Sequence, residues 1–495
     1  MKIHPCATMR RAEQELLAAG EVSADALMDA AIEGCRAALA EDPALADAAR
    51  RYACAIVYAG KGKNAGDAIG LARALGFADI RLRCVAPAEQ MAPETQRQLQ
   101  ATPRGALRVE EAAPSLPPGG ALIVDGLLGS GARGELRAEV RRLVEELNAL
   151  RAADPRSQTL AVDAPTGLQA DTGEPGAACA RADATLAIGC VKPGLLAEGA
   201  ADYVGRLLCV PLPQVELPGS EAEALDAATP GWLPRRAHSC YKNQAGRVRI
   251  VAGSPGYTGA AQMCAEAALA AGAGLVELCC LPETYATLAA RVAPEVMVRP
   301  VASYAEVSAE GASALLIGPG LGAPDAGNRD ALRELVEGAP CPLTLDADGL
   351  NLAAAHGWRI PRGAILTPHP GEMRRLYPEG AGLPRAELAA AYVRERPCTL
   401  LLKGARSIIT DGVRTYYNTT GGPWMANGGQ GDVLSGAVAG LAAQGLEPVR
   451  AAALGAYLCG RAATAAWAEA GRPLAVRATQ LLGRLTGLSP RALPA

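Results

Sequence analysis

Apolar and polar positions along the chain alternate between two rhythms. Across residues 9–40, charged positions interleave with Ala and Leu at helical spacing, which predicts helix. A short unbroken apolar run at 54–58 then predicts a buried strand. A Gly-rich turn and a helical stretch over 68–75 follow it at once. Further strands are expected at 80–85, 121–124, 159–162, 184–188 and 206–210. Pro211, Pro213, Pro218 and Pro230, set among acidic and small residues, interrupt the pattern. Beyond them it restarts, with strands expected at 248–251, 275–279, 314–317, 343–345, 364–366 and 399–402. Helices are expected at 260–271, 432–443 and 449–468. Strands alternating with helices imply an α/β fold, with mostly parallel sheets covered on both faces. The pattern divides into two three-layer domains, 1–212 and 230–495, joined by a Pro-rich linker over 213–229.

Composition narrows the partners. The formal net charge is -3, with both signs mixed, and Phe77 is the single phenylalanine. Neither a basic stripe nor a base-stacking surface is expected, so nucleic acid and anionic membrane are excluded as partners. No apolar stretch reaches the roughly 18–20 residues of a membrane span without a charge or a Gly/Pro break. The 14 cysteines show no CxxC spacing, and the first fifteen residues contain no apolar run, with Glu13 and Glu15 among them. Reduced thiols and a cytoplasmic location are expected. Four histidines leave little for a His-rich metal site.

In the first half, Gly60-Lys-Gly-Lys-Asn-Ala-Gly-Asp67 follows a strand and opens a helix. Glycines let backbone N–H groups approach an anion, and a helix N-terminus adds partial positive charge. A plain tight turn would show the same composition. Two more strands end in carboxylates, in Val124-Asp125-Gly-Leu-Leu-Gly-Ser-Gly131 and in Val162-Asp163-Ala-Pro-Thr-Gly167. Either Asp alone reads equally as a helix N-cap. Three such strand ends on one sheet edge point to a ligand crevice.

In the second half, Asn427-Gly-Gly-Gln-Gly-Asp-Val-Leu-Ser-Gly436 leads a Gly-rich turn directly into an Ala/Val/Leu helix. Such a turn forms an anion hole for a transferring phosphoryl group, and an Asp in the first turn can accept a proton from the hydroxyl being phosphorylated. Lys403-Gly-Ala-Arg406 follows a buried strand and offers backbone and basic groups to nucleotide phosphates. Thr367-Pro-His-Pro-Gly-Glu372 holds His369 between two prolines at another strand end. Ile317-Gly-Pro-Gly-Leu-Gly322 is a further Gly-rich loop. The carboxylates of Asp346 and Asp348 either serve magnesium through water or cap a helix.

The first set of motifs resembles the NAD(P)HX epimerase domain, over roughly residues 1–215. The second resembles the ADP-dependent NAD(P)HX dehydratase of the ribokinase-like superfamily, over roughly 230–495. The resemblance implies a Rossmann-like N-terminal domain and a ribokinase-like C-terminal domain. It implies that Lys63, Asn64, Ala65, Gly66, Asp67, Gly129, Ser130, Gly131, Ala132, Arg133, Gly134 and Glu135 hold a dinucleotide, with Asp163 on the substrate. It places a potassium ion on Asn64, Asp125 and Thr166, and makes Asp125 the candidate acid/base group. In the second domain it puts Ala260, Gly320, His369 and Asp432 on the hydrated substrate, with Asp432 as base. Lys403, Gly404, Ala405, Arg406, Ser407 and Gly431 fall on the adenine nucleotide. The implied co-substrate is ADP, with magnesium for the dehydratase, and the implied assembly is a homo-oligomer. Lys63, Ala65, Ala68 and Thr166 depart from the epimerase pattern, and Asn427 and Gln430 stand where the dehydratases usually carry Thr.

The activity so implied is repair of hydrated NAD(P)H. R and S hydrates would interconvert in the first domain, and the second would dehydrate the S form at the expense of ADP, giving AMP and phosphate. Two alternatives remain open at this point. One is a ribokinase-like kinase for a small alcohol, using ATP. The other is a dehydratase fused to a dinucleotide-binding domain without turnover.

Overall fold

Parallel strands covered by helices on both sides must be apolar on both faces, and the central strands of each half meet that condition. The computed structural model describes residues 1–485. It divides into two units, 1–227 and 228–495. The end of the expected second domain, 486–495, lies outside the described residues.

The first unit opens with α1 (Cys6–Ala18) and α2 (Ala24–Glu41), then the single turn α3 (Ala48–Arg51). The continuous helix expected over 9–40 is therefore two helices. Gly20 takes a left-handed φ of 70°, and the Ser23 side chain accepts a hydrogen bond from Ala26 N–H to start the second. The strands are β1 (Cys54–Ala59), β2 (Ile80–Cys84), β3 (Leu107–Val109), β4 (Ala121–Gly126), β5 (Gln158–Val162), β6 (Ala184–Ile188) and β7 (Arg206–Val210). Helices α4 (Lys63–Ala74), α5 (Pro93–Ala101), α6 (Ala138–Ala153) and the short α7 (Ala201–Val204) connect them. All pairings are parallel, in the order β3-β2-β1-β4-β5-β6-β7. The order reverses between β1 and β4, which opens a crevice where their following loops diverge.

Part of the stretch expected as linker packs onto this unit. Strand β8 (Ala222–Ala224) ends with Ala224 N–H donating to Met1 O at 2.8 Å. The Met1 ammonium sits 2.8 Å from Asp226.

The second unit carries β9 (Arg247–Val251), α8 (Thr258–Ala270), β10 (Leu275–Cys280), α9 (Pro282–Arg291) and β11 (Val296–Pro300). These are followed by β12 (Ala314–Ile317), α10 (Ala326–Glu337), β13 (Leu343–Leu345), α11 (Asp348–His356), β14 (Ile365–Leu366) and α12 (Pro370–Leu376). Next come α13 (Arg385–Glu395), β15 (Thr399–Leu402), β16 (Ile408–Thr410) and β17 (Thr415–Tyr417), then α14 (Gln430–Ala443), α15 (Pro448–Glu469) and α16 (Ala478–Leu485). Within this unit the strands run β11-β10-β9-β12-β13-β14-β15-β16-β17. The pairs β15–β16 and β16–β17 are antiparallel. Here the order reverses between β9 and β12.

Helix α14 lies unusually close to α8. A Cβ added at Gly436 would fall 2.1 Å from Cys264 O, and one at Gly440 would fall 2.5 Å from Ala268 O. Two glycines four residues apart thus make a side-chain-free seam along one face of α14. Gly436→Ala should force the helices apart and cost about 1–3 kcal/mol, read as a lower urea midpoint for the second unit. An unchanged midpoint would show that the seam is not tight.

Candidate active sites in the two halves

At the first reversal point the loops after β1 and β4 touch through backbone. A Cβ at Gly60 would lie 1.9 Å from Leu127 O, and Gly60 N–H donates to Gly126 O at 3.2 Å. Helix α4 begins at Lys63, so the residues expected in a loop form its first turns. A cavity of about 330 Å³ opens here, within the size range of small-molecule pockets. Lys63, Asn64 and Asp67 line it, together with residues 129–132 and Asp163. Ala65 and Gly66 do not. Both are buried, and a Cβ on Gly66 would strike Met28. Arg133, Gly134 and Glu135 also lie outside the lining. Arg133 pairs instead with Asp171 at 3.0 Å.

Asp163 follows β5 with φ of 66°, a left-handed conformation that Asp tolerates better than most residues. Its Oδ2 accepts Ser130 N–H at 2.8 Å. Its Oδ1 lies 2.5 Å from Lys192 Nζ, which also donates to Ile188 O at 2.9 Å. Burial by itself would raise the Asp163 carboxyl, but the Lys192 charge overrides it and holds Asp163 below the usual range. Burial opposes the Lys192 charge, and Asp163 more than restores it. Lys192 was not anticipated from the sequence; its signal was a lysine placed just after a buried strand, in Cys190-Val191-Lys192-Pro193.

Two other carboxyls face the cavity without such a partner. Asp67 is pushed up to about 8 by burial first, then by the negative charges of Asp163 and Glu13. Glu13, on α1, is raised by burial and then by Asp163. Lys63 offsets little of this, because its ammonium is exposed and pairs with Glu94 at 3.2 Å.

Asp125 behaves differently. It is wholly buried and does not line the cavity. Its Oδ2 accepts Thr166 N–H at 2.8 Å, and its Oδ1 accepts Thr166 Oγ1–H at 2.7 Å and Leu127 N–H at 3.2 Å. Asp125, expected as the acid/base group, lies behind the cavity wall, whose carboxyls are those of Asp163, Asp67 and Glu13. A cation fits Asp125 better. Burial drives its carboxyl up to about 6 against the Thr166 and Leu127 hydrogen bonds, and no ion pair reaches it among the described residues. Thr166 adds an oxygen beside it. Of the Asn64 amide only the oxygen can face a cation; its buried Nδ2, an N–H donor, has no partner. Such oxygen donors around an unneutralised buried carboxylate suit a hard, weakly charged ion.

In the second unit, the loops after β9 and β12 meet in the same way. A Cβ on Gly320 would lie 2.8 Å from Tyr257 O and 3.1 Å from Ala260 Cβ, which brings Ala260 and Gly320 together. Asp432 sits in the first turn of α14, after Gly429 in a left-handed conformation. Beside that turn, Lys403 Nζ pairs with Asp346 at 3.0 Å and lies 3.7 Å from Glu372. A Cβ on Gly431 would fall 3.4 Å from Lys403 Nζ. Burial, and then the Asp346 charge, push Asp432 up to about 7, with Lys403 opposing. Lys403 remains charged, because Asp346 and Glu372 outweigh its burial.

The expected nucleotide loop is only partly presented. Gly404 and Ala405 are exposed and Ser407 half-buried, whereas Arg406 is buried. The Lys403 side chain turns toward the carboxylates. Arg385, missed in the sequence, lies under the loop and donates to Leu402 O and Lys403 O, both at 3.1 Å. A Cβ on Gly404 would collide with its guanidinium. His369 caps α12: its Nδ1 accepts Gly371 N–H at 2.9 Å, and Glu372 Oε2 accepts His369 N–H at 2.8 Å. Its ring stays half exposed. Asn427 and Gln430 both donate to Val476 O, at 2.9 and 2.8 Å. These two amides thus tie the segment before α16 to the Gly-rich turn. No group of three or more His, Cys, Asp or Glu side chains converges as a metal site among the described residues. A magnesium ion arriving with phosphates needs only one or two carboxylates, and Asp346 and Asp348 stand in that position. Asp348 accepts Gly322 N–H at 2.8 Å, and Ala347 between them has φ of 49°.

Residues 24–194 match the family model described as YjeF-related protein N-terminus, and 248–486 match that described as NAD(P)H-hydrate dehydratase. The bifunctional NAD(P)H-hydrate repair enzyme Nnr of Moorella thermoacetica is 36% identical over 462 residues, covering 84% of each chain. That of Salinibacter ruber is 35% identical over 486 residues, covering 88% of this chain and 87% of its own. A solved ADP/ATP-dependent NAD(P)H-hydrate dehydratase from Bacillus subtilis, co-crystallised with ATP and magnesium, is 27% identical. It covers 52% of this chain and 93% of its own, at a TM-score of 0.46. With both halves matched in order and full-length relatives above one-third identity, the chain belongs to the bifunctional NAD(P)H-hydrate repair enzyme family.

Proposed function

We propose that the chain restores hydrated NAD(P)H: the first unit interconverts the R and S hydrates, and the second dehydrates the S form with ADP. The observation that carries this reading is Asp432, a carboxyl at the N-terminus of α14 pushed up to about 7 beside the Lys403–Asp346 pair. A base with that affinity can take a hydroxyl proton near neutral pH. The C6 hydroxyl gives its proton to Asp432 as its oxygen bonds to the terminal phosphorus of ADP, and AMP departs with the electrons of the broken P–O bond. Phosphate then leaves C6 with the C–O electron pair, while C5 loses a proton and the ring double bond re-forms. The products are NAD(P)H, AMP and phosphate.

Backbone N–H groups at the start of α14 face the transferring phosphoryl group. Gly404 and Ala405 offer unhindered backbone to the nucleotide, and Arg385 adds positive charge beneath them. Magnesium bound with the nucleotide supplies neutralisation of phosphate charge, with Asp346 and Asp348 as its nearest carboxylates. Ala260, Gly320 and the exposed edge of His369 bound the hydrate. In the first unit, Asn64, Asp125 and Thr166 would hold a potassium ion, whose charge would offset the buried Asp125 carboxylate. No described helix is long and apolar enough to cross a membrane. We read the chain as a cytoplasmic homo-oligomer, which a mass measurement against the 50.6 kDa chain checks.

Asp432→Asn should lower ADP-dependent recovery of reduced-nicotinamide absorbance from the S hydrate by about 10²–10⁴-fold. In the unsubstituted protein, recovery should fall as the pH drops through about 7, because the base is then protonated. A flat profile, or an active Asp432→Asn, would remove Asp432 from the reaction. Recovery with ATP that leaves a stable phosphorylated product would instead support a kinase.

Potassium should raise the thermal midpoint of the first unit more than sodium at pH 8. The difference should fade below about pH 6, where Asp125 takes up a proton, and should vanish in Asp125→Asn. Equal midpoints in both salts at pH 8 would count against the ion site.

A further inference from the structure

The loop after β14 carries a hydrogen-bond donor and an acceptor side by side that no other described residue uses. His369 Nδ1 accepts Gly371 N–H at 2.9 Å and Glu372 N–H at 3.3 Å. A ring nitrogen that accepts carries no hydrogen, so the proton of the neutral imidazole sits on Nε2. Gly371 permits this arrangement: a Cβ there would fall 2.7 Å from His369 Cε1 and lift the ring off the two N–H groups. Pro370, between them, has no N–H to compete. Nε2–H makes no hydrogen bond among the described residues, and half of the His369 side chain is exposed.

The Glu372 carboxylate divides in the same way. Its Oε2 accepts His369 N–H at 2.8 Å and lies 3.7 Å from Lys403 Nζ. Its Oε1 accepts no hydrogen bond among the described residues and stands 3.4 Å from His369 Nε2. The side chain is only 6% exposed, and an acceptor so buried is costly to leave unmet. Both groups stand on the sheet edge that carries Lys403 and Asp346. Pro368 O accepts Lys403 N–H at 2.9 Å, and Thr367 N–H donates to Leu345 O at 3.2 Å.

We propose that His369 Nε2–H and Glu372 Oε1 read the C3 carboxamide of the hydrated nicotinamide ring. The first donates to the amide carbonyl, and the second accepts one of the amide N–H groups. This rests on assigning dehydration of the hydrate to the second unit. A primary amide presents an acceptor and a donor in one plane, and an unused donor beside an unused acceptor is its complement. A phosphate offers acceptors and would set its charge against Glu372. An ammonium offers donors alone and would leave Nε2–H unmet. The C6 hydroxyl, which can do both, is engaged with Asp432. His369 is on this assignment a donor and not a base, and the pair holds the ring by the group farthest from the chemistry at C6.

The test compares ADP-dependent recovery from the S hydrates of NADH and of its 3-acetylpyridine analogue, in which a methyl group replaces the amide NH2 and the carbonyl remains. It uses the full chain, unsubstituted and as His369→Asn and Glu372→Met. Asn keeps an oxygen for the Gly371 and Glu372 N–H groups but has no donor where Nε2–H stands, so it separates the cap from the contact. The unsubstituted protein should turn over the acetyl analogue with a kcat/KM about 10–10²-fold lower. His369→Asn should raise KM for the natural hydrate about tenfold with kcat little changed. Its melting midpoint and its preference for the amide should both stay. Glu372→Met should lose that preference, bringing the two hydrates toward equal kcat/KM. ¹⁵N NMR of the four histidines, with His369 identified by its loss in His369→Asn, should find its proton on Nε2.

Equal kcat/KM for the two hydrates in the unsubstituted protein would overturn the assignment, and is the result expected if a ribose hydroxyl occupies the pair. An unchanged KM in His369→Asn, or a His369 proton on Nδ1, would remove the histidine from it. If Glu372→Met fails to fold, the comparison of hydrates in the unsubstituted chain decides alone. A protein that recovers neither hydrate with ADP would sink the dehydratase reading itself, whereas recovery of both at equal rates sinks the carboxamide contact and leaves that reading standing.

Discussion

A buried ammonium set against a carboxylate at the end of a parallel strand is the interaction on which both halves depend. Asp163 after β5 takes Lys192, and Asp346 after β13 takes Lys403. A charge taken out of water is expensive unless paired and hydrogen-bonded, so each lysine decides where its loop settles. Each pair also leaves a carboxyl over: Asp67 in the first unit, Asp432 in the second. Those left-over carboxyls hold protons near neutral pH, and that is where proton-transfer chemistry becomes possible. The two sites use unrelated motifs yet apply one electrostatic rule at the same topological place, one strand beyond the reversal of strand order.

Much of this was legible in the sequence because it is local. The strand ends carrying Asp125 and Asp163 follow apolar runs, and the Gly-rich turn before α14 announces its own helix. Elements with weak local signatures were not. Strand β3 is a three-residue, mostly exposed edge, and β16 and β17 form a short antiparallel pair; neither leaves a long buried run in the sequence. The break between α1 and α2 depends on a single left-handed glycine and a serine cap, which helical spacing alone passes over.

The site was less legible than the fold, for a physical reason. Motif reading finds residues contiguous in sequence, whereas partners that balance charge come from anywhere in the chain. Lys192, Glu13 and Arg385 each reach their sites from elements with no motif of their own. Conversely, Ala65, Gly66, Arg133, Gly134 and Glu135 share a motif with lining residues but face elsewhere. Asp125 shows the same separation of motif from role: its position in a strand-end signature is as expected, and its carboxylate secures the Thr166 turn rather than the cavity.

The side-chain-free seam between α8 and α14 bears on movement. Backbone atoms of Cys264 and Ala268 stand where Cβ atoms of Gly436 and Gly440 would otherwise be. Two helices in such contact have no layer of side chains to re-sort, so neither can slide by a fraction of a turn without colliding. Asp432, in the first turn of α14, is therefore fixed relative to the loop that opens α8. Any tightening around a bound nucleotide is left to segments outside this helix pair, and the base keeps one address throughout the catalytic cycle.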